Sequence, residues 1–339
     1  MIHRVTRLAL AVVLLGAAPV PASATTDTYQ WAALGDSYTA GVFIGDPRPA
    51  LGDPDRDGCD RTSDSYPDLV HGSLTEFPPG GPVELTDVSC GGAEIRHIAQ
   101  AEQQPVSPVD APAQWPPVSP QVQRAGLDEG TDVVTVGVGG NSLPFAGMLA
   151  QCVGLGLNGQ SCREHYENPP EGEEGIEDKF SRVQDEYVTM LAAVHQAAPN
   201  AKVLTVGYPA VLPQQSADCA PMNWTELFSI RRDDVDWLRG VLERLNRTIQ
   251  SVSSFFGDRY VDIHSSSVGH DVCQPAGEKW VEGICGDAED YWPTEIHLPA
   301  LTIPCPEGTH ATLVHPNARS HENAAHQVER AVRIALLGR

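Results

Sequence analysis

The run Asp132-Val133-Val134-Thr135-Val136-Gly137-Val138 is apolar and β-branched, and it stops at Gly139-Gly140. A half-solvated strand would alternate polar with apolar residues, so this run predicts a strand buried on both faces. Trp31–Leu34, closed by Gly35, and Lys202–Gly207 read the same way. Val83–Val88 and Tyr260–Ile263 add two shorter candidates. Apolar residues recur at helical spacing at Val183, Tyr187, Leu191 and Val194. They do so again at Leu238, Val241, Leu245, Ile249, Val252 and Phe256, where Gly257 ends the helix, and helix signals return from Ala318 to Leu337. Strands buried on both faces that alternate with amphipathic helices predict an α/β fold, a mostly parallel sheet covered on both sides. In such sheets ligands bind at the carboxyl ends of the strands.

The first residues have the form of an export leader. His3, Arg4 and Arg7 precede the apolar run Leu8–Ala18, which is too short to span a bilayer, and Ala22-Ser23-Ala24 is a small-residue cleavage site. The expected organisation is a signal peptide over 1–24 and one domain over 25–339, with no stable membrane anchor. The chain carries a net charge of −23, which opposes association with phosphate backbones, so nucleic-acid binding is not expected. Eight cysteines in an exported chain read as disulfides. They allow about 105 pairings. Pairing in chain order, 59–90, 152–162, 219–273 and 285–305, is the working expectation.

Two segments invite further readings. Asp53, Asp55, Asp57, Gly58 and Asp64 occupy positions one, three, five, six and twelve of a calcium-loop pattern, although Pro54 lies inside it and no helices flank it. A solvated acidic turn is the plainer reading and a structural calcium the alternative. The Pro- and Gln-rich segment 101–121 is expected to be an irregular loop bordering the cleft.

Ser37 follows the first strand in Gly35-Asp36-Ser37-Tyr38, and His315-Pro316-Asn317 lies near the C-terminus. A serine hydroxyl is a poor nucleophile until an imidazole takes its proton. Gly139-Gly140-Asn141 also leaves a predicted strand end. With Ser89-Cys90-Gly91-Gly92-Ala93-Glu94, Cys59-Asp60-Arg61-Thr62-Ser63, Val206-Gly207-Tyr208-Pro209 and Gly269-His270-Asp271-Val272-Cys273, these blocks resemble the SGNH hydrolases, the GDSL-type esterases and lipases. The similarity is greatest to their secreted, disulfide-bonded actinobacterial branch, and it runs from about residue 30 to the C-terminus.

The resemblance implies a three-layer α/β/α sandwich of flavodoxin-like kind. It implies Ser37 as nucleophile and His315 as general base. The oxyanion hole would consist of the Ser37 and Gly92 backbone N–H groups and the Asn141 amide. No cofactor is required. The implied activity is hydrolysis of lipid or short-to-medium acyl esters by a secreted monomer. A carbohydrate acetylesterase is the alternative among hydrolases, and a catalytically silent binding protein the alternative outside them. Two positions depart from the family pattern. Thr312 stands where an Asp usually precedes the His by three residues, so a backbone carbonyl, first that of Thr312, is expected to hold the imidazole, with Glu307 second. Ser142 replaces the Asp that usually follows the Asn, which implies a changed hydrogen-bond pattern in that loop. His270 is expected to line or brace the site, and His310 and His321 to be surface residues.

Overall fold

The computed structural model describes residues 28–112, 114–298 and 301–338. The expected leader over 1–24 lies outside them. Five parallel strands form one sheet: β1 (Tyr29–Gly35), β2 (Val83–Asp87), β3 (Val133–Gly137), β4 (Lys202–Val206) and β5 (Arg259–Val261). Their order is β2-β1-β3-β4-β5, the doubly wound order of the flavodoxin-like folds. In register, Trp31 stands beside Val133 and Leu34 beside Val136, with Ala33 beside Asp87 on the other edge.

The period of two in each strand builds the layers. Ala32, Leu34, Val134 and Val136 face one side, where they pack with Ile98, Val183, Leu191, Leu245 and Ile249. These partners come from helices Ile95–Ala99, Ile176–Ala197 and Arg232–Phe256. Trp31, Ala33, Val133 and Leu204 face the other side, against Val70 and Leu74 of helix Tyr66–Glu76 and Val328 and Val332 of helix Ala318–Leu337. The result is the expected three-layer α/β/α arrangement. Each such aliphatic side chain contributes roughly 1.5–3 kcal/mol by leaving water.

Some elements differ from the sequence reading. Residues 151–178, which look like a Gly- and Glu-rich excursion, hold the end of helix Phe145–Leu157 and a short helix Cys162–Glu167. Glycines in the first of these helices hide an apolar stripe that includes Met148, Leu149 and Val153. The four disulfides are Cys59–Cys90, Cys152–Cys162, Cys219–Cys273 and Cys285–Cys305. No helix among the described residues is long and apolar enough to cross a membrane.

The chain leaves β1 toward β2 on one side and returns to β3 on the other. The carboxyl ends of β1 and β3 therefore flank the point where winding reverses, which is where open α/β sheets place their sites.

Candidate active site

Gly35 ends β1 where a side chain cannot fit. A Cβ there would run into the Thr39 side chain and stand 2.6 Å from Gly137 O. Asp36 follows in an extended conformation, and its carboxylate accepts the Tyr38 N–H at 3.0 Å, capping the one-turn helix Ser37–Ala40. Ser37 is the first residue of that turn, so its N–H has no partner within the helix. Gly41, in the left-handed region at φ 78°, closes the turn.

His315 reaches Ser37 from the opposite end of the chain. Residues 313–316 run beside 281–284, with Val314 N–H donating to Gly283 O (2.7 Å), Leu313 N–H to Ile284 O (3.0 Å) and Glu282 N–H to His315 O (2.9 Å). Leu313 and Val314 both lie in the left-handed region, at φ 49° and 61°. That conformation is unfavourable for a β-branched residue such as Val314. The turn presents two carbonyls to the ring: His315 Nδ1–H donates to Thr312 O (2.9 Å) and Leu313 O (3.1 Å). Carbonyls only accept, so the neutral ring carries its proton on Nδ1 and offers Nε2 as acceptor. Nε2 lies 2.9 Å from Ser37 Oγ. The Thr312 hydroxyl points elsewhere and donates to Gly283 O. No carboxylate is among the ring's hydrogen-bond partners in the described residues. Tyr38 and Phe43 pack around the imidazole with ring centroids 5.0 and 4.9 Å away. Burial pulls its pKa down to about 4, against the smaller upward effect of the Leu313 and Thr312 carbonyls.

Asn141 follows β3. Its side-chain amide donates to Ala93 O at 3.0 Å, joining the third turn to the Gly91–Ala93 turn. Gly92, at φ 75°, adopts a conformation glycine accepts readily. The preceding Cys90 donates its N–H to Gly35 O (3.1 Å), so the turns carrying Gly92 and Ser37 are adjacent. Ser142 Oγ accepts the Ile95 N–H at 2.8 Å. Ser37, His315 and Asn141 line one cleft with Phe145, Ala146, Leu149 and Leu242.

A family model described as the GDSL-like Lipase/Acylhydrolase family matches residues 33–322. The chain belongs to that family. It is 31% identical to Lipase 2 of Streptomyces coelicolor over 82% of this chain and 83% of that one. It is 27% identical to an esterase of Streptomyces scabiei, covering 97% and 94% of the two chains. Its fold is similar to the crystal structure of phospholipase A1 from Streptomyces albidoflavus, with TM-score 0.56 and 20% identity over 90% of this chain and 99% of that one. As a GDSL-family protein it is an ester hydrolase.

Three residues of the candidate site escape sequence reasoning. Tyr208, buried after β4, donates to Asp36 Oδ2 at 2.5 Å and accepts the Gly140 N–H at 2.7 Å. Gln121, also buried, accepts the Gly35 N–H through Oε1 and donates to Gly35 O through Nε2. Phe43 closes one side of His315. Tyr208 lies in one of the matched blocks, but nothing in that block shows which partners it has.

Two histidine readings are corrected. His321 is not a surface residue: it is 2% exposed, accepts the Tyr66 N–H through Nδ1, and keeps Nε2 buried without a hydrogen-bond partner. His310 is half-buried, because Gly286 pairs with its backbone. His270 stacks on Trp280 at 3.7 Å, and Trp280 O accepts the Asn317 N–H, so His270 braces the loop behind His315. The acids of 53–64 do not converge on one point. Asp57 is occupied by Arg61 (2.8 Å) and Arg124 (3.5 Å), and Asp53 caps the Asp55 N–H.

Proposed function

We propose that this ester hydrolase acts through an acyl-enzyme on Ser37 with His315 as general base. The Ser37 Oγ–His315 Nε2 contact of 2.9 Å carries the reading, because Nδ1 is already committed to two carbonyls. His315 Nε2 takes the hydroxyl proton as Oγ bonds to the ester carbon. The tetrahedral oxyanion accepts from the Ser37 and Gly92 backbone N–H groups and from the Asn141 N–H not used by Ala93 O. The imidazolium then gives its proton to the departing alcohol. A water attacks the acyl-enzyme, passes its proton to Nε2, and the carboxylic acid leaves as Ser37 regains its hydrogen. No cofactor takes part.

The substrates are lipid or short-to-medium acyl esters. Phe145, Ala146, Leu149 and Leu242 offer apolar surface beside Ser37, and the relatives above include a lipase and an esterase. The protein is secreted as a monomer. Its four disulfides require an oxidising compartment to persist.

The test is hydrolysis of p-nitrophenyl esters from acetate to palmitate by wild type and Ser37→Ala. Turnover confined to wild type supports the serine mechanism, and the chain-length optimum identifies the acyl class. Equal turnover by the variant overturns it. Labelling by a serine-directed phosphonate distinguishes an activated nucleophile from a silent binding site.

A further inference from the structure

Two turns must keep a fixed separation for the proposed chemistry, the one that carries Ser37 and the one that carries Asn141. They leave different strands, and one side chain connects them. Tyr208 donates its hydroxyl hydrogen to Asp36 Oδ2 and accepts the Gly140 N–H with its oxygen. Asp36 caps the turn of Ser37, and Gly140 is the residue before Asn141. Tyr208 is itself fixed at its backbone, because the Asn246 side chain accepts the Tyr208 N–H (2.8 Å) and donates to Tyr208 O (2.9 Å). Its ring meets Tyr38 edge-on at 5.3 Å. Asp36 and Tyr208 are shielded from water and Gly140 partly so, and in such surroundings an unmade hydrogen bond is costly and a made one is directional.

We infer that Tyr208 is a positioning residue that holds the Asn141 turn in register with Ser37, through the chain Gly140 N–H to Tyr208 hydroxyl to Asp36 carboxylate. The inference rests on the roles proposed for Ser37 and Asn141. Tyr208 borders the same cleft as Ser37 and Asn141, but its hydroxyl is committed to Asp36 and Gly140. It sets where the Asn141 amide stands relative to the oxyanion, so its removal is felt in the transition state more than in substrate binding.

A double-mutant cycle tests it. Tyr208→Phe, Asn141→Ala and the pair are compared by kcat and KM on p-nitrophenyl butyrate and by the rate of labelling with a serine-directed phosphonate, whose adduct also places an anionic oxygen at the same donors. Tyr208→Phe is expected to lower kcat and labelling about tenfold or more, with KM within about twofold of wild type. In the Asn141→Ala background the same change should cost less than about threefold, because residues acting through one another are non-additive. Equal losses in both backgrounds, or no loss from Tyr208→Phe, overturn the inference while leaving the serine mechanism standing. No loss from Asn141→Ala alone overturns both the oxyanion assignment and the role of Tyr208. If Tyr208→Phe does not fold by near-UV circular dichroism, Asp36→Asn takes its place in the cycle. The Tyr38 N–H and the Tyr208 hydroxyl donate to different oxygens of Asp36, Oδ1 and Oδ2, and asparagine places a donor NH2 at one of those two positions, so the same non-additivity is expected.

Discussion

Thr312 turns its carbonyl oxygen to His315 Nδ1, 2.9 Å away, and its hydroxyl to Gly283 O, also 2.9 Å away. The position that carries a carboxylate elsewhere in the family thus acts on the imidazole through the main chain. Thr312→Ala keeps that carbonyl and loses only a buried hydrogen bond. It is expected to retain kcat within about threefold while losing about 1 kcal/mol of stability. Steady-state kinetics beside urea unfolding measures both, and a hundredfold loss of kcat would contradict the main-chain account.

The pH dependence of activity follows from the same contacts. The base proposed here, His315, must be neutral, and burial lowers its pKa to about 4. Activity is therefore present above that value and lost as pH falls through it. The profile of kcat/KM should retain activity at pH 5 and halve near pH 4 through His315, below any partial step near pH 7 from Asp36, whose carboxyl burial raises to about 7. Activity already abolished at pH 5 would show an imidazole that titrates as it does in water.

Stability carries a related signature. His321 is lowered to about 3 by burial and by the neighbouring His315. In the unfolded chain it binds its proton near pH 6.5, so the unfolded state holds more protons between pH 6.5 and about 3. Its contribution is complete above pH 6.5 and declines as pH falls, by up to about 1.4 kcal/mol per pH unit. Asp36 works in the opposite direction. Burial raises it to about 7, so its contribution is present at low pH and declines between pH 3.8 and about 7. The difference between wild type and His321→Gln isolates the histidine, and the variant should lose stability less steeply below pH 6. Parallel curves of chemical stability against pH would refute this.

Leu313 is exposed and left-handed, at φ 49°. Leu313→Gly relieves the backbone but frees the unfolded chain, and these effects nearly cancel, so stability should stay within about 0.5 kcal/mol of wild type. Leu313→Ile adds β-branching at positive φ and should lose about 1 kcal/mol or more. Thermal midpoints of the two variants give the comparison, and equal midpoints would mean that the turn is unstrained.

For the loop 53–64, EDTA should leave the thermal midpoint unchanged, because Arg61 and Arg124 already neutralise Asp57. A fall restored by added calcium would establish a bound ion.

Much of the architecture was legible because it follows from local rules. Strand β3 was visible as a β-branched run, and helix Arg232–Phe256 as an apolar stripe closed by a left-handed Gly257. Helix Phe145–Leu157 was obscured because three glycines weaken its helical signal, although Met148, Leu149 and Cys152 are firmly buried. His321 was misread for a different reason. A histidine next to a loop motif looks solvated until the helix Ala318–Leu337 is docked against Tyr66.

The sequence by itself determined the strands, the main helices, the two-sided burial of the sheet and the residue types available for ester chemistry. These depend on period, glycine placement and side-chain identity, which are properties of neighbours along the chain. Only the tertiary structure decided what meets what: Thr312 O with His315, Tyr208 between Asp36 and Gly140, and Arg124 with Asp57. Those contacts join residues through main-chain atoms or across long separations. The main-chain atoms are common to every residue, and the long separations are closed only by folding, so neither leaves a pattern in the sequence.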